Sequence, residues 1–284
     1  MLEKLFRTDF KALSRILLPL HLVVVGIGVL ATFAGFAGYS LEGLDELFGA
    51  AGDQIVTLLS GLAALFLALS MFLLFCACVT TFVVVVVRFY RNLFSDEGYL
   101  TLTLPVTAGQ LVTAKVLAGL LWMVIDALVV LGCVATLSAG AEGFTGDMSL
   151  NSSLPAWLLG LSTNGLASLG EDSITVLVLM RWWAQTILQM LFALLVAYLS
   201  FALGAALARQ HKVAAGVGLF IGIWWVYGMV VGAIDIFLVI MMAYVSTDLI
   251  MGAMSAASAL IQLGAVCGCW ALCVFLLKHR VNLT

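Results

Sequence analysis

The stretch IVTLLSGLAALFLALSMFLLFCACVTTFVVVVV, residues 55–87, runs for 33 residues without a charged side chain. A helix rises about 1.5 Å per residue and needs roughly 20 mainly apolar residues to cross a hydrocarbon core of about 30 Å, so this run exceeds one membrane thickness. It is not barrel material. Barrel strands alternate apolar and polar in pieces of about 10 residues, and neither VTTFVVVVV (79–87) nor LLVAYLSFALGAALA (194–208) alternates.

The same criterion, moved outward along the chain, finds six stretches near 16–38, 55–87, 112–138, 173–207, 213–239 and 249–277. The expected fold is therefore all-α: a polytopic membrane protein of six transmembrane helices in one domain over 1–284. Composition agrees, with 64% hydrophobic and 10% charged residues against roughly 45–50% and 25% in soluble domains. With three prolines and so few charges, the chain holds neither a long disordered tail nor a sizeable soluble domain. Chemistry in water would belong to another chain, and nothing in the composition serves nucleic acid.

Orientation follows from the cations. Lys4, Arg7, Lys11, Arg15, Arg88, Arg91, Lys115, Arg209, Lys212, Lys278 and Arg280 fall on one side of the six-span drawing, with Arg181 the only basic residue elsewhere. That side is expected to be cytoplasmic, with both termini on it. The first apolar stretch is longer than the 7–15 residues of a secretory signal's core and is read as a retained span. No linker marks a second domain, and no internal repeat announces an inverted-repeat transporter.

Two cytoplasmic pieces stand out. In residues 2–17, Leu2, Leu5, Phe6, Phe10, Leu13, Ile16 and Leu17 recur at helical spacing while Lys4, Arg7, Lys11 and Arg15 fill the other face. This predicts an amphipathic helix over 1–15, lying along the inner leaflet before turning into the first span. The second piece is RFYRNLFSDEGYLTLTLPVTAGQ (88–110). Phe89, Tyr90, Leu93 and Phe94 are too apolar for a solvated loop, Pro105 stops any helix begun before it, and Thr107 with Gln110 forms a T-x-x-Q capping box for the third span. An ordered segment of this kind reads as a docking surface, its alternative being a simple interfacial turn.

The order of an amphipathic basic N-terminal helix, a long second span, the run DEGYLTLTLPVTAGQLVTAK (96–115) and four more spans resembles the permease subunits of type-2 ATP-binding-cassette exporters, particularly small bacterial ones encoded beside a separate ATPase. The likeness in architecture covers the whole chain; the specific motif covers about residues 88–120. The resemblance implies that the segment between spans two and three is a coupling helix docking in a cleft of the ATPase, which assigns that role to Asp96, Glu97, Gly98, Tyr99 and Leu100. It also implies a second permease chain, identical or a sibling, with the first, second and fifth spans near the dimer axis, residence in the bacterial inner membrane, and ATP and Mg held by the partner. One departure bears on cargo. The sterol and multidrug branch carries its large external elaboration between spans five and six, whereas here the long external connection is 139–172, between spans three and four; that branch's substrate site is not carried over.

The chain itself has no GxxxxGK[ST] and no GK pair, so it cannot cradle nucleotide phosphates with a P-loop, and it is not expected to be an enzyme or to hold a cofactor. GIGVLA (26–31) matches a dinucleotide pattern only formally, inside an apolar span with no strand before it. Cys76, Cys78, Cys133, Cys267, Cys269 and Cys273 all fall in spans without a CxxC and read as small apolar thiols, not metal ligands. His21, His211 and His279 read as interfacial. Gly218 with Gly222, Gly228 with Gly232, and Gly264 with Gly268 are small-xxx-small pairs that pack helices within one chain or between two. Trp182, Trp183, Trp224, Trp225 and Trp270 are interface anchors or line an amphipathic path, and LPAWLLGL (154–161) is a lipid-anchored loop or a lid.

Asp126 and Arg181 are the ionisable residues expected inside the membrane. Counted from a third span starting near Val112, Asp126 lies roughly 21 Å up; Arg181, in a span descending from about Ser173, lies roughly 12 Å below the outer edge, a matching depth. Either charge alone in lipid costs at least ~2.5–3.5 kcal/mol, so a buried ion pair is expected, with Asp235 as the other possible partner of Arg181. The leading functional expectation is an ATP-driven exporter of hydrophobic or amphipathic cargo such as a peptide, drug or lipid. The rivals are an ion-coupled secondary transporter, for which Asp126 is the hint, and a non-transporting membrane scaffold or immunity protein.

Overall fold

The computed structural model describes residues 2–40, 50–94, 106–145, 172–208, 210–241 and 247–279. They form six helices: α1 (Leu2–Ser40), α2 (Ala50–Phe94), α3 (Ala108–Thr145), α4 (Asp172–Leu207), α5 (Lys212–Met241) and α6 (Thr247–His279). No strand occurs among the described residues. Each helix contains a segment long and apolar enough to cross a membrane, so the six-span, all-α reading of the sequence has its counterpart in six helices.

Two boundaries differ from the sequence reading. α1 is one helix from Leu2 to Ser40 with Pro19 inside it, so no break in helical structure separates the basic amphipathic residues 2–15 from the apolar part. α2 continues past Val87 to Phe94, which makes the first third of the expected 88–110 connection helical. Phe89 and Leu93 explain the extension, being 1% and 0% exposed; burying two large side chains on one helical face favours another two turns. The described residues resume at Val106, and α3 starts at Ala108.

The chain divides into two compact units, Met1–Lys11 with Phe82–Leu121 and Trp183–Thr284, and Ala12–Thr81 with Trp122–Trp182. In the second unit, Val24 and Ala31 of α1, Leu74 and Ala77 of α2, and Cys133 and Val134 of α3 form a buried core, with Leu67, Val129 and Val130 packed against it. Gly28 lets α1 approach α3 closely, since a Cβ there would stand 3.1 Å from the Cys133 sulfur.

In the first unit the buried centre is aromatic. Phe89 of α2 and Tyr198 of α4 stack with ring centroids 3.7 Å apart and planes 5° from parallel, and both are buried, as are Phe192, Leu194 and Leu195 of α4. α4 and α5 form a tight hairpin. His211 turns the chain in the left-handed region with φ 51°, and a Cβ on Gly204 would fall 2.6 Å from the Gly216 backbone nitrogen, so only hydrogen at Gly204 admits this approach. α5 then meets α2 through Phe220 and Phe82, and α4 through Trp224 and Tyr227 against Phe192. Much of its surface is open: Ile221, Trp225, Ile236 and Phe237 are exposed, on a helix long and apolar enough to cross a membrane.

Candidate functional site

The described residues carry two buried carboxylates, and each gathers polar side chains from several helices. In the first unit, Asp9 of α1 is 8% exposed. Lys115 Nζ of α3 donates to its Oδ1 and Oδ2 at 3.4 and 3.2 Å, Asn92 Nδ2 of α2 donates to Oδ1 at 3.3 Å, and a guanidinium nitrogen of Arg88 lies 3.7 Å from Oδ1. The Tyr198 hydroxyl donates to the Lys115 carbonyl at 3.4 Å, which ties the Phe89–Tyr198 stack to the same point. One carboxylate thus faces two cations, and the remaining charge of the cluster is positive.

These partners flank the connection read as a docking segment, Arg88 and Asn92 before it and Lys115 after it. The expected capping box is formed: Gln110 N–H donates to Thr107 Oγ1 at 3.3 Å, Thr107 N–H donates to Gln110 Oε1 at 3.4 Å, and Leu111 N–H donates to the Thr107 carbonyl at 3.1 Å. Asp96, Glu97, Gly98, Tyr99 and Leu100 lie outside the described residues, as does LPAWLLGL.

In the second unit the centre is Asp126 of α3, 6% exposed. His21 Nε2 of α1 lies 2.9 Å from its Oδ1, Thr81 Oγ1 of α2 donates to the same oxygen at 3.2 Å, and the Cys78 thiol, one helical turn from Thr81, interacts with this carboxylate. The Trp122 ring, one turn before Asp126, sits with its centroid 5.8 Å from that of His21. Of the two residues expected to pair by depth, Asp126 is buried among these groups and Arg181 is exposed on α4; Asp235 is half-buried on α5 in the other unit.

A third polar feature joins α4 to α6. Gln262 is 4% exposed, donates to Gln189 Oε1 and accepts from Gln185 Nε2 at 2.7 Å. Gln185 and Gln189, one helical turn apart, present two amides to a single amide on the neighbouring helix.

The remaining sequence expectations divide. Among the cysteines, all free, Cys133, Cys269 and Cys273 are buried, Cys76 and Cys78 half-buried and Cys267 exposed. Trp270 Nε1 donates to Thr113 Oγ1 at 3.2 Å, fixing α6 to α3, and Trp225 is exposed. Among the described residues, nothing beyond the helix's own backbone and the adjacent residues lies within 4 Å of a Cβ built on Gly218, Gly222, Gly228, Gly232, Gly264 or Gly268; the described glycines at close contacts are Gly28, Gly119, Gly204 and Gly216.

Sequence reasoning missed Asp9, His21 and the three glutamines as members of buried clusters. The glutamines left a signal, two amides at i and i+4 in an otherwise apolar run. Comparisons with family models, curated proteins and solved structures find no match to this chain.

Proposed function

We propose that this chain is the membrane-spanning permease subunit of an ATP-driven exporter, moving a hydrophobic or amphipathic cargo such as a peptide, drug or lipid out of the cytoplasm. Six helices of spanning length and composition support a multi-pass membrane protein, with the cations of residues 4–15, 88–115, 209–212 and 278–280 on the cytoplasmic side of a bacterial inner membrane. The chain carries no nucleotide-binding motif, so ATP and Mg belong to a separate ATPase, and two permease chains complete the path.

The observation that carries the reading is the Asp9 cluster. It ties the N-terminal segment to the last turns of α2 and the first turns of α3, the two helices joined by the proposed coupling segment around Asp96, Glu97, Gly98, Tyr99 and Leu100. A push on that segment from a closing ATPase is thereby delivered to three helices at once, which is what a coupling element needs in order to bias the permease between inward- and outward-facing states.

The test is the double change Asp96→Lys and Glu97→Lys. Insertion and folding persist, while association with the ATPase and cargo-stimulated ATP hydrolysis are lost; survival of both removes the docking assignment. One observation favours a second reading, an ion-coupled secondary transporter: the buried His21–Asp126 pair. Transport by this chain reconstituted without any ATPase distinguishes it.

A further inference from the structure

We propose that Arg88 anchors a binding site for the phosphate of an anionic phospholipid, at the point where the outward face of α2 turns from apolar to cationic. The inference starts from the donors around Asp9. Its carboxylate takes Lys115 Nζ on both oxygens, at 3.4 and 3.2 Å, and Asn92 Nδ2 on Oδ1 at 3.3 Å. One ammonium therefore balances its charge, and three hydrogen bonds occupy it. Arg88 stands 3.7 Å from Oδ1, close enough for attraction and too far for a hydrogen bond. Its Nε is covered without a hydrogen-bond partner, while the side chain as a whole is 28% exposed. Arg88 is thus the surplus cation of the cluster, and among the described residues its guanidinium makes no hydrogen bond. A guanidinium presents five N–H donors in a planar fork that matches two oxygens of a phosphate.

The neighbouring surface selects the kind of phosphate. Val83 and Val87 are 48% and 47% exposed, and Arg91, four residues further on, is exposed as well. Residues four apart share a helix face, so this face passes from valine to arginine within one turn, about 6 Å. It does so on a helix long and apolar enough to cross a membrane. A free phosphate gains nothing from the valines. A phospholipid sets its phosphate on the Arg88 fork and lays an acyl chain along Val87 and Val83, which covers apolar area and fills the donors together. A headgroup that carries its own ammonium brings another cation to a site already positive, so an anionic headgroup is favoured. Asp9, Val83, Val87, Arg88, Arg91, Asn92 and Lys115 all belong to one unit. The site needs α2 in a membrane and needs neither an ATPase nor a cargo, so it stands or falls apart from the exporter reading.

The experiment titrates the full chain in a neutral detergent with dioleoylphosphatidylglycerol, counts bound lipid by native mass spectrometry, and repeats the titration with dioleoylphosphatidylcholine and with inorganic phosphate as competitor. Phosphatidylglycerol is expected to bind more tightly than phosphatidylcholine and to resist displacement by phosphate. Arg88→Gln weakens it about fivefold, the factor that corresponds to about 1 kcal/mol for one basic residue at an anionic surface. Its melting temperature without added lipid stays at the wild-type value, because Asp9 keeps Lys115 and Asn92. Arg88→Lys, which retains the charge and gives up the fork, falls between the two and serves as the variant of record if the glutamine protein does not fold. Lys4→Gln, which removes an exposed cation of α1, leaves the affinity unchanged. The proposal is overturned by equal binding of the two lipids, by displacement with inorganic phosphate, or by wild-type affinity in the Arg88 variants. Equal weakening by Lys4→Gln and Arg88→Gln overturns it too, since that is the mark of a diffuse surface charge.

Discussion

Lys115 and Asp9, 106 residues apart in sequence, meet through two hydrogen bonds of 3.2 and 3.4 Å, with the lysine side chain 4% exposed and that of the aspartate 11%. In the other unit His21 meets Asp126 and Gly28 meets Cys133, both at an offset of 105. Within that second unit α1 and α3 therefore pack in parallel with one register.

Asp9→Ala removes the acid and strands a buried ammonium. Breaking one side of a buried pair costs about 3–5 kcal/mol, and the expected outcome is a correspondingly large loss of stability in detergent or lipid, read by thermal or chaotrope unfolding. The double change Asp9→Leu with Lys115→Met, which removes both charges and keeps the volume, recovers most of that loss.

Thr107→Ala takes away one half of the capping box. N-cap replacements of this kind cost about 0.5–2 kcal/mol, and here the effect is local: amide hydrogen exchange quickens at Gln110 and Leu111, whose N–H groups bond to Thr107, while the aromatic centre around Tyr198 keeps its protection.

The helices were legible because spanning runs of apolar residues are a one-dimensional signal, and the cap was legible because its partners are three residues apart. The His21–Asp126 contact was not, and the reason is the starting level assigned to α1. With the first span begun near residue 16, His21 is only about 8 Å in and no match for Asp126 at roughly 21 Å. Counted from the helix starts at Leu2 and Ala108, the two residues stand at about 28 and 27 Å and coincide. The depth match of Asp126 with Arg181 takes no account of His21, because a starting level near residue 16 sets His21 well below both. Asp9, one acid among four cations, is inconspicuous until Lys115 is seen at the same level.

Gln262→Leu keeps the volume and deletes the bonds to Gln185 and Gln189. Hydrogen bonds between spanning helices are worth about 0.6 kcal/mol each on average and up to about 1.7, so a loss of about 1–2 kcal/mol is expected in the same unfolding measurement, well below that of Asp9→Ala. A larger loss marks the ladder as the main fixture between α4 and α6.

The glycines offer the clearest contrast between contacts within the chain and contacts between chains. At Gly204 an added methyl meets the Gly216 backbone at 2.6 Å, and two helix backbones in a hairpin do not yield as a side-chain tip does; Gly204→Ala is expected to cost about 1–3 kcal/mol, the usual range for overpacking. At Gly218 and Gly222 the same methyl enters open space, so Gly218→Ala with Gly222→Ala leaves the folded chain as stable as before or slightly more so, alanine being the better helix former by about 1 kcal/mol. If α5 lies at the axis of the proposed permease dimer, these same two methyls fall in the close approach between chains. The expected outcome is a pair of dissociated results: an unchanged melting temperature, and a reduced dimer fraction by crosslinking in bilayers. Unchanged dimerisation places the axis on another helix, and a lowered melting temperature contradicts the open space around both glycines.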